Sequence, residues 1–306
     1  MSRYEPISAA NADRITELVQ TPCGFLSRLV WSPDGKQLAL AHGDGLWLWE
    51  DAFGGDPTRR LIGHSAPVKD VVFNEDGQVI ASASSDMTVR LWMAMSGQQL
   101  HILRRHSDGV NAVAFSANGR LLASGGGDHH IFIFDMMDST GSTLLTGHTG
   151  SISSVVFGGD LLASGGWDNT VRLWDSVEKR ELSTIMFDDW VRELAASPNG
   201  QFLAAACKDG TVSLIEFATG EVLHTFPAHE SGTDCLDFSP DGALLVTGGR
   251  DQLVKLWDMN EFSEQPLAQL AGHSKPVLTV AFHPTGNMIG SGSGDHTARL
   301  WAIVES

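Results

Sequence analysis

The feature that most constrains this 306-residue chain is an aspartate that returns at a nearly fixed interval. Asp44, Asp86, Asp128, Asp168, Asp209, Asp251 and Asp295 each precede a short apolar run, and their successive separations are 42, 42, 40, 41, 42 and 44 residues. A chain built from one supersecondary unit at such a period has its architecture set by how the units stack. Seven units account for nearly the whole sequence.

Each unit reads as four short strands. In the second, Val68-Lys69-Asp70-Val71-Val72-Phe73 is followed by a turn, by Val79-Ile80-Ala81-Ser82, by a tight turn at Asp86, by Val89-Arg90-Leu91-Trp92, and by an outer strand that leads to the next Gly-His. Alternation over stretches of this length, with turn residues between them, marks half-buried strands. Asp34-Gly35, Asp76-Gly77, Asn118-Gly119, Asn199-Gly200 and Asp241-Gly242 supply the positive φ that tight hairpins demand. Helix period is nowhere sustained.

In the fourth unit the markers are Gly147-His148, Trp167-Asp168 and Trp174-Asp175. One Gly-His and one Trp-Asp per repeat resemble the WD-repeat (WD40) β-propeller family, and the match spans roughly residues 14–303. The resemblance implies an all-β, seven-bladed propeller of four-stranded antiparallel blades, with residues 1–12 a tail and 13–306 a single propeller domain. Asp13 to Val19 reads as an outer strand without a blade of its own, while the last unit ends its third strand at Ala298 to Ile303. The N-terminal strand is therefore expected to complete the last blade, giving a complete ring without exposed edges at the seam.

The resemblance also assigns a buried hydrogen-bond chain from Trp through Ser or Thr and His to Asp. Its members are His64, Ser82, Asp86 and Trp92 in blade two; His106, Ser124 and Asp128 in blade three; and His148, Ser164, Asp168 and Trp174 in blade four. Blade six has His229, Thr247, Asp251 and Trp257, and blade seven has His273, Ser291, Asp295 and Trp301. Blade one has Pro22 and Leu40 at the His and Ser positions. Blade five has Phe187, Ala205 and Ile215 in place of His, Ser and Trp.

Ser, His and Asp are also the triad residues of hydrolases, but a hydrolase needs one active site and this set recurs in five blades. The repetition argues for structure, and no enzyme is expected. Gly290 to Gly294 mimics a dinucleotide fingerprint without the required helix. His129-His130 lies in a tight turn with no ligand cluster beside it, so no metal or other cofactor is expected.

A formal net charge of −17 argues against a surface-wide nucleic-acid or anionic-membrane footprint. Cys23, Cys207 and Cys235 are too few and scattered for a disulfide framework. No signal peptide and no run near the ~18 apolar residues of a membrane span is found, so a soluble cytoplasmic protein is expected.

Function is then expected on the surface. In the resembled family the narrow face is the common docking site, built from the residue before each Asp and those three and five after each His. These positions place Trp167, Trp190, Arg192, Lys208 and Arg250 on neighbouring blades four to six. Trp and Arg dominate binding hot spots, and an acidic or phosphorylated segment with an apolar side chain suits this set. In the bland alternative Trp190 packs into blade five, with Arg192 and Lys208 bonded to Asp188, Asp189 or Asp209. The expectation is a non-catalytic scaffold, monomeric on its own, that binds a protein or peptide. The competing expectations are a small-ligand or enzymatic propeller using the central channel, disfavoured by apolar inner-strand residues such as Val71, Ala114, Val155 and Val280, and a structural subunit of a larger assembly.

Overall fold

The structure, a computed structural model, describes residues 4–50, 53–138, 141–261 and 263–304. In blade two Val68–Phe73 pairs antiparallel with Val79–Ser84, which pairs with Val89–Met93, which pairs with Gln99–Leu103. The same order, inner strand to outer, repeats in every blade and gives a seven-bladed propeller. The inner strands are Leu26–Trp31, Val68–Phe73, Val110–Phe115, Ile152–Gly158, Val191–Ala196, Thr233–Phe238 and Val277–Phe282. Gly35, Gly77, Gly119, Gly200 and Gly242 turn the inner hairpins with φ between 67° and 73°, where a side chain would be strained.

Blade seven is closed from the other end of the chain. Thr16–Pro22 pairs antiparallel with residues 297–302 as its outer strand. This strand lies later than the Asp13 to Val19 expected, because Ala12–Arg14 forms a 3-10 turn first. Residues 4–12, read as a tail from the sequence, also pack on the blade. Tyr4 and Glu5 pair with Val304 and Ile303, and Ile7 and Ala12 are buried beside Trp301 and Ile303. Residues 1–3 lie outside the described residues.

The core sits between blades. Leu46 and Leu48 of blade one pack with Val68, Val71 and Ile80 of blade two, and Ala163, Val171 and Leu173 of blade four pack with Val191, Leu203 and Ile215 of blade five. Each fully buried Val, Leu or Ile among them contributes about 1.5–3 kcal/mol. Five seams carry a further bond in which a side chain of one inner strand accepts an N–H of the next. Asp70 accepts from Val113 at 2.9 Å, Ser154 from Leu194 at 3.1 Å and Glu193 from Leu236 at 3.2 Å. Asp237 accepts from Phe282 at 2.8 Å, and Thr279 from Leu29 at 3.0 Å.

These acceptors correct the apolar channel in part: Ala114 and Val155 line it as expected, but Val71 and Val280 do not. Both valines are buried between blades. A bulge near the start of each inner strand shifts the register by one residue, as between Val68 and Asp70, and so re-aims the side chains that follow. The channel wall consequently carries Arg28, Asp70 and Glu193, with Arg28 ion-paired to both acids. Among the described residues no helix is long and apolar enough to cross a membrane.

Candidate functional site

Five blades join their His, Ser or Thr, and Asp through side-chain hydrogen bonds. In blade four Trp174 Nε1–H donates to Ser164 Oγ at 2.8 Å, the Ser164 hydroxyl meets His148 Nε2 at 2.7 Å, and His148 Nδ1 lies 2.9 Å from Asp168 Oδ2. A carboxylate can only accept, so Nδ1 carries the proton and Nε2 accepts from the hydroxyl. Blades two, six and seven have the same chain through His64, His229 and His273, with each link between 2.7 and 3.0 Å. In blade three His106 bridges Ser124 at 2.8 Å and Asp128 at 2.9 Å, and Phe134 stands where the indole would be. In blades two, three, four and seven the Asp carboxylate also accepts the backbone N–H that follows the His, as Asp168 does from Thr149 at 2.8 Å. The chains therefore tie each entering loop to its blade.

Blade one uses a local substitute. His42 stacks on Trp47 with centroids 4.2 Å apart, Arg60 covers the Trp47 ring at 4.5 Å, and Asp44 accepts from both His42 and the Trp47 indole. Blade five fills the space with carbon: Ala205 and Ile215 are fully buried and Phe187 packs against their cluster. His129 takes φ of 67° in its turn, and among the described residues no group of three or more His, Cys, Asp or Glu could hold a metal.

The narrow face is organised by one bond that recurs in all seven blades. The residue before each Asp donates its N–H to the carbonyl three residues past the His position. Trp167 donates to Ser151 at 2.9 Å, Lys208 to Trp190 at 2.9 Å and Arg250 to Gly232 at 3.0 Å, with equivalents at Gly43, Ser85, Gly127 and Gly294. This bond sets Lys208 beside Trp190, so that its Nζ lies 4.2 Å over the indole. From the next blade Trp167 stacks on Trp190, 4.8 Å between centroids and 9° from parallel. Trp167 remains 43% exposed, and neither indole N–H bonds to another described residue.

The three cations have partners the sequence pointed to only in part. Lys208 pairs with Asp189 at 3.4 Å, one of the acids beside it in sequence. Arg192 instead reaches Asp234 of blade six at 3.6 Å, and Arg250 reaches the same carboxylate at 3.2 Å. Both contacts use Nε, the Nη atoms of both guanidinium groups make no hydrogen bond among the described residues, and the Arg192 guanidinium carbon lies 5.7 Å from the centroid of the Trp190 ring. Burial lowers the Arg192 pKa, Asp234 opposes that, and Arg250 adds to it. Gly232, with φ of 133°, lets Arg250 lie flat, since a Cβ there would come within 3.0 Å of its Cδ. Trp190 does not plug blade five: it is half-buried against Trp167. Trp167, Trp190, Arg192, Lys208 and Arg250 thus form one contiguous patch, with Asp234 as the member not singled out from the sequence.

The cavity at the channel mouth, about 330 Å³, is ringed by one residue per blade: Ser27, Lys69, Asn111, Ser153, Arg192, Asp234 and Leu278. The patch is therefore continuous with the mouth through Arg192 and Asp234.

A closed propeller of four-stranded blades, pinned by repeated Trp, Ser or Thr, His and Asp chains and presenting its loops on one face, defines a repeat-built presentation module. The family model for the WD domain, G-beta repeat, matches residues 55–93, 97–135, 140–175, 181–216, 220–258 and 264–302. The chain belongs to the WD-repeat family. It is similar to the nuclear distribution protein PAC1 of Coccidioides posadasii, 30% identical over 48% of this chain and 35% of that protein. It is also similar to PAC1 of Arthroderma benhamiae, 29% identical over 48% of this chain and 36% of the relative, and to PAC1-2 of Uncinocarpus reesii, 31% identical over the same shares. The matched region spans little more than a third of these curated relatives.

Proposed function

We propose that this chain is a non-catalytic scaffold that docks a protein or peptide on the narrow face of its propeller, across blades four to six. The observation that carries the reading is the Trp167–Trp190 stack: one free indole face and two indole N–H donors that bond to no other described residue, beside three cations on a protein of net charge −17. Such a combination of area and directed donors is what binding hot spots are made of. A rigid closed ring loses little ordering entropy on docking, so these contacts convert efficiently into affinity. The partner presents an acidic or phosphorylated segment with an apolar side chain against the stack. Kinship with proteins named for nuclear distribution, rather than for a catalysed reaction, supports the scaffold reading. A cytoplasmic monomer that needs no cofactor fits it.

The channel offers the second reading, because its wall is charged. A small ligand there would have to displace Arg28 from Asp70 or Glu193.

A quantitative pull-down from source-cell lysate compares wild type, Arg192→Glu with Arg250→Glu, and a rim control, Arg104→Glu with Arg105→Glu, each verified as folded by its thermal melt. A partner kept by wild type and the rim variant and lost by the narrow-face variant supports docking on blades four to six. Equal retention by all three moves the interface to the rim or wide face, as for a structural subunit. Capture of nothing by wild type favours the channel reading.

A further inference from the structure

Asp234 sits between two guanidinium groups that both point a side chain at it, 3.6 Å from Arg192 Nε and 3.2 Å from Arg250 Nε. It is the most shielded member of the trio, with its side chain 10% exposed against 20% for Arg192 and 40% for Arg250. It accepts a hydrogen bond from Arg250 Nε, stands too far from Arg192 Nε for one, and leaves the Nη donors of both without a hydrogen-bond partner among the described residues. The sum over the three groups is one positive charge, since Lys208 is already matched by Asp189.

From this arrangement we infer that Asp234 is a built-in charge filter, which sets the narrow-face site for a carboxylate, from a glutamate or aspartate side chain or a chain terminus, and against a phosphate. The inference rests on the docking reading above and narrows its partner to an acidic, unmodified segment. A carboxylate supplies one negative charge and two acceptor oxygens, enough to bridge the free Nη donors and leave the site neutral. A phosphomonoester carries close to two charges above its second pKa of about 6. Asp234 repels that dianion about twice as strongly as it repels a carboxylate, on a protein whose net charge is already −17. The phosphate's solvation loss also grows with the square of its charge, so the dianion gives up more water for a site that answers only half its charge.

Lys69, on the opposite side of the mouth, does not restore the balance: it lies on blade two, while the trio spans blades five and six. Arg28 is not a spare cation either, because Asp70 and Glu193 both hold it.

Asp234→Asn keeps the shape and an acceptor oxygen for Arg250 while removing the charge. At the few ångströms involved, one unit of protein charge changes affinity roughly tenfold per unit of ligand charge. The substitution therefore improves binding of a monoanion by about tenfold and of a dianion by about a hundredfold.

The experiment titrates two otherwise identical short peptides, leucine beside glutamate in one and beside phosphoserine in the other, into wild type and Asp234→Asn at pH 8. The readout is the indole Nε1–H resonances of Trp167 and Trp190, assigned by single substitution. In wild type the glutamate peptide binds more tightly, and in Asp234→Asn the affinity ratio moves about tenfold toward phosphoserine. Tighter phosphoserine binding by wild type, or a ratio unchanged by the substitution, overturns the charge filter while leaving the docking site intact. If neither peptide moves either indole in either protein, the acidic-segment docking reading fails and the filter fails with it.

Discussion

The indole rings of Trp167 and Trp190 lie parallel, 9° apart with centroids 4.8 Å apart, although they belong to different blades. Trp190 is closed on its other side by the Lys208 ammonium at 4.2 Å, so only Trp167 offers a free face. The stack ties blade four to blade five where blade five lacks its polar chain, and it also builds the exposed surface on which docking is proposed.

A stacked aromatic pair is worth roughly 0.5–1.5 kcal/mol beyond the area it buries. Trp190→Ala is therefore expected to lower stability by at least about 1 kcal/mol in urea unfolding. A double-mutant cycle of Trp167→Ala with Trp190→Ala should return a coupling energy of about 0.5–1.5 kcal/mol. Strictly additive effects of the two substitutions contradict the stack.

Ser164 joins the Trp174 indole to the His148 imidazole within a fully buried site. Ser164→Ala leaves the Trp174 indole N–H and His148 Nε2 without a partner, while His148 Nδ1 keeps Asp168, and an orphaned buried polar group costs about 1–3 kcal/mol. Blade five gives the converse case. Ala205 is fully buried where five of the blades carry the hydroxyl, in a cluster with Phe187 and Ile215, so Ala205→Ser adds a polar group with nothing to bond. Both variants should be destabilised by about 1–3 kcal/mol in urea unfolding, and a neutral Ala205→Ser would show that blade five can still accept a hydroxyl.

Burial pushes the imidazoles of His64, His106, His148, His229 and His273 below their ordinary value of 6.5, against the pull of their aspartates. As pH falls below 6.5 the unfolded chain takes up these protons before the folded one does, so stability is lost. Burial would raise Asp86, Asp251 and Asp295, but hydrogen bonds outweigh it and hold each at about 2. Their contribution is complete above the ordinary 3.8 and drains away as pH falls toward 2. Asp237 works the other way: burial lifts it to about 6, so the folded state gains its proton first and offsets part of the loss between 6 and 3.8. The melting temperature should be flat from pH 9 to 7, fall below about 6.5, and fall again below about 4. A melting temperature that rises on acidification through pH 6 would show that the histidines are not held neutral.

Cys23, Cys207 and Cys235 are fully buried, and burial pushes the Cys23 and Cys207 thiols up to about 12. All three should resist an aromatic disulfide reagent at pH 8 until urea unfolds the ring, then react together. Prompt reaction of one thiol in the folded protein would locate a seam that opens.

The repeat made most of the fold legible, because each hairpin glycine and each Asp turn recurs at one place in the unit. It could not supply relations between units. The inner-strand bulge is invisible in a pattern of alternating Val and Ala, yet it turns Asp70 and Glu193 toward the channel and hides Val71. Arg192 forms its ion pair with Asp234 of the next blade. The Trp167–Trp190 contact likewise depends on the rotation from one blade to the next, which no spacing records. In blade one, His42 and Asp44 could be named from the sequence, but their stacking on Trp47 lies outside the repeating pattern.

Docking on blades four to six is tested most directly by hydrogen exchange of the protein alone and saturated with the partner that wild type retains. The narrow-face amides of Trp167, Lys208 and Arg250 donate to the carbonyls of Ser151, Trp190 and Gly232 at the surface, so a docked segment should slow their exchange. The prediction is protection concentrated in residues 150–153, 167–169, 188–192, 208–210 and 230–234, with outer strands such as Gln99–Leu103 unchanged. Protection confined to the outer strands, with those five segments exchanging as in the free protein, would contradict it.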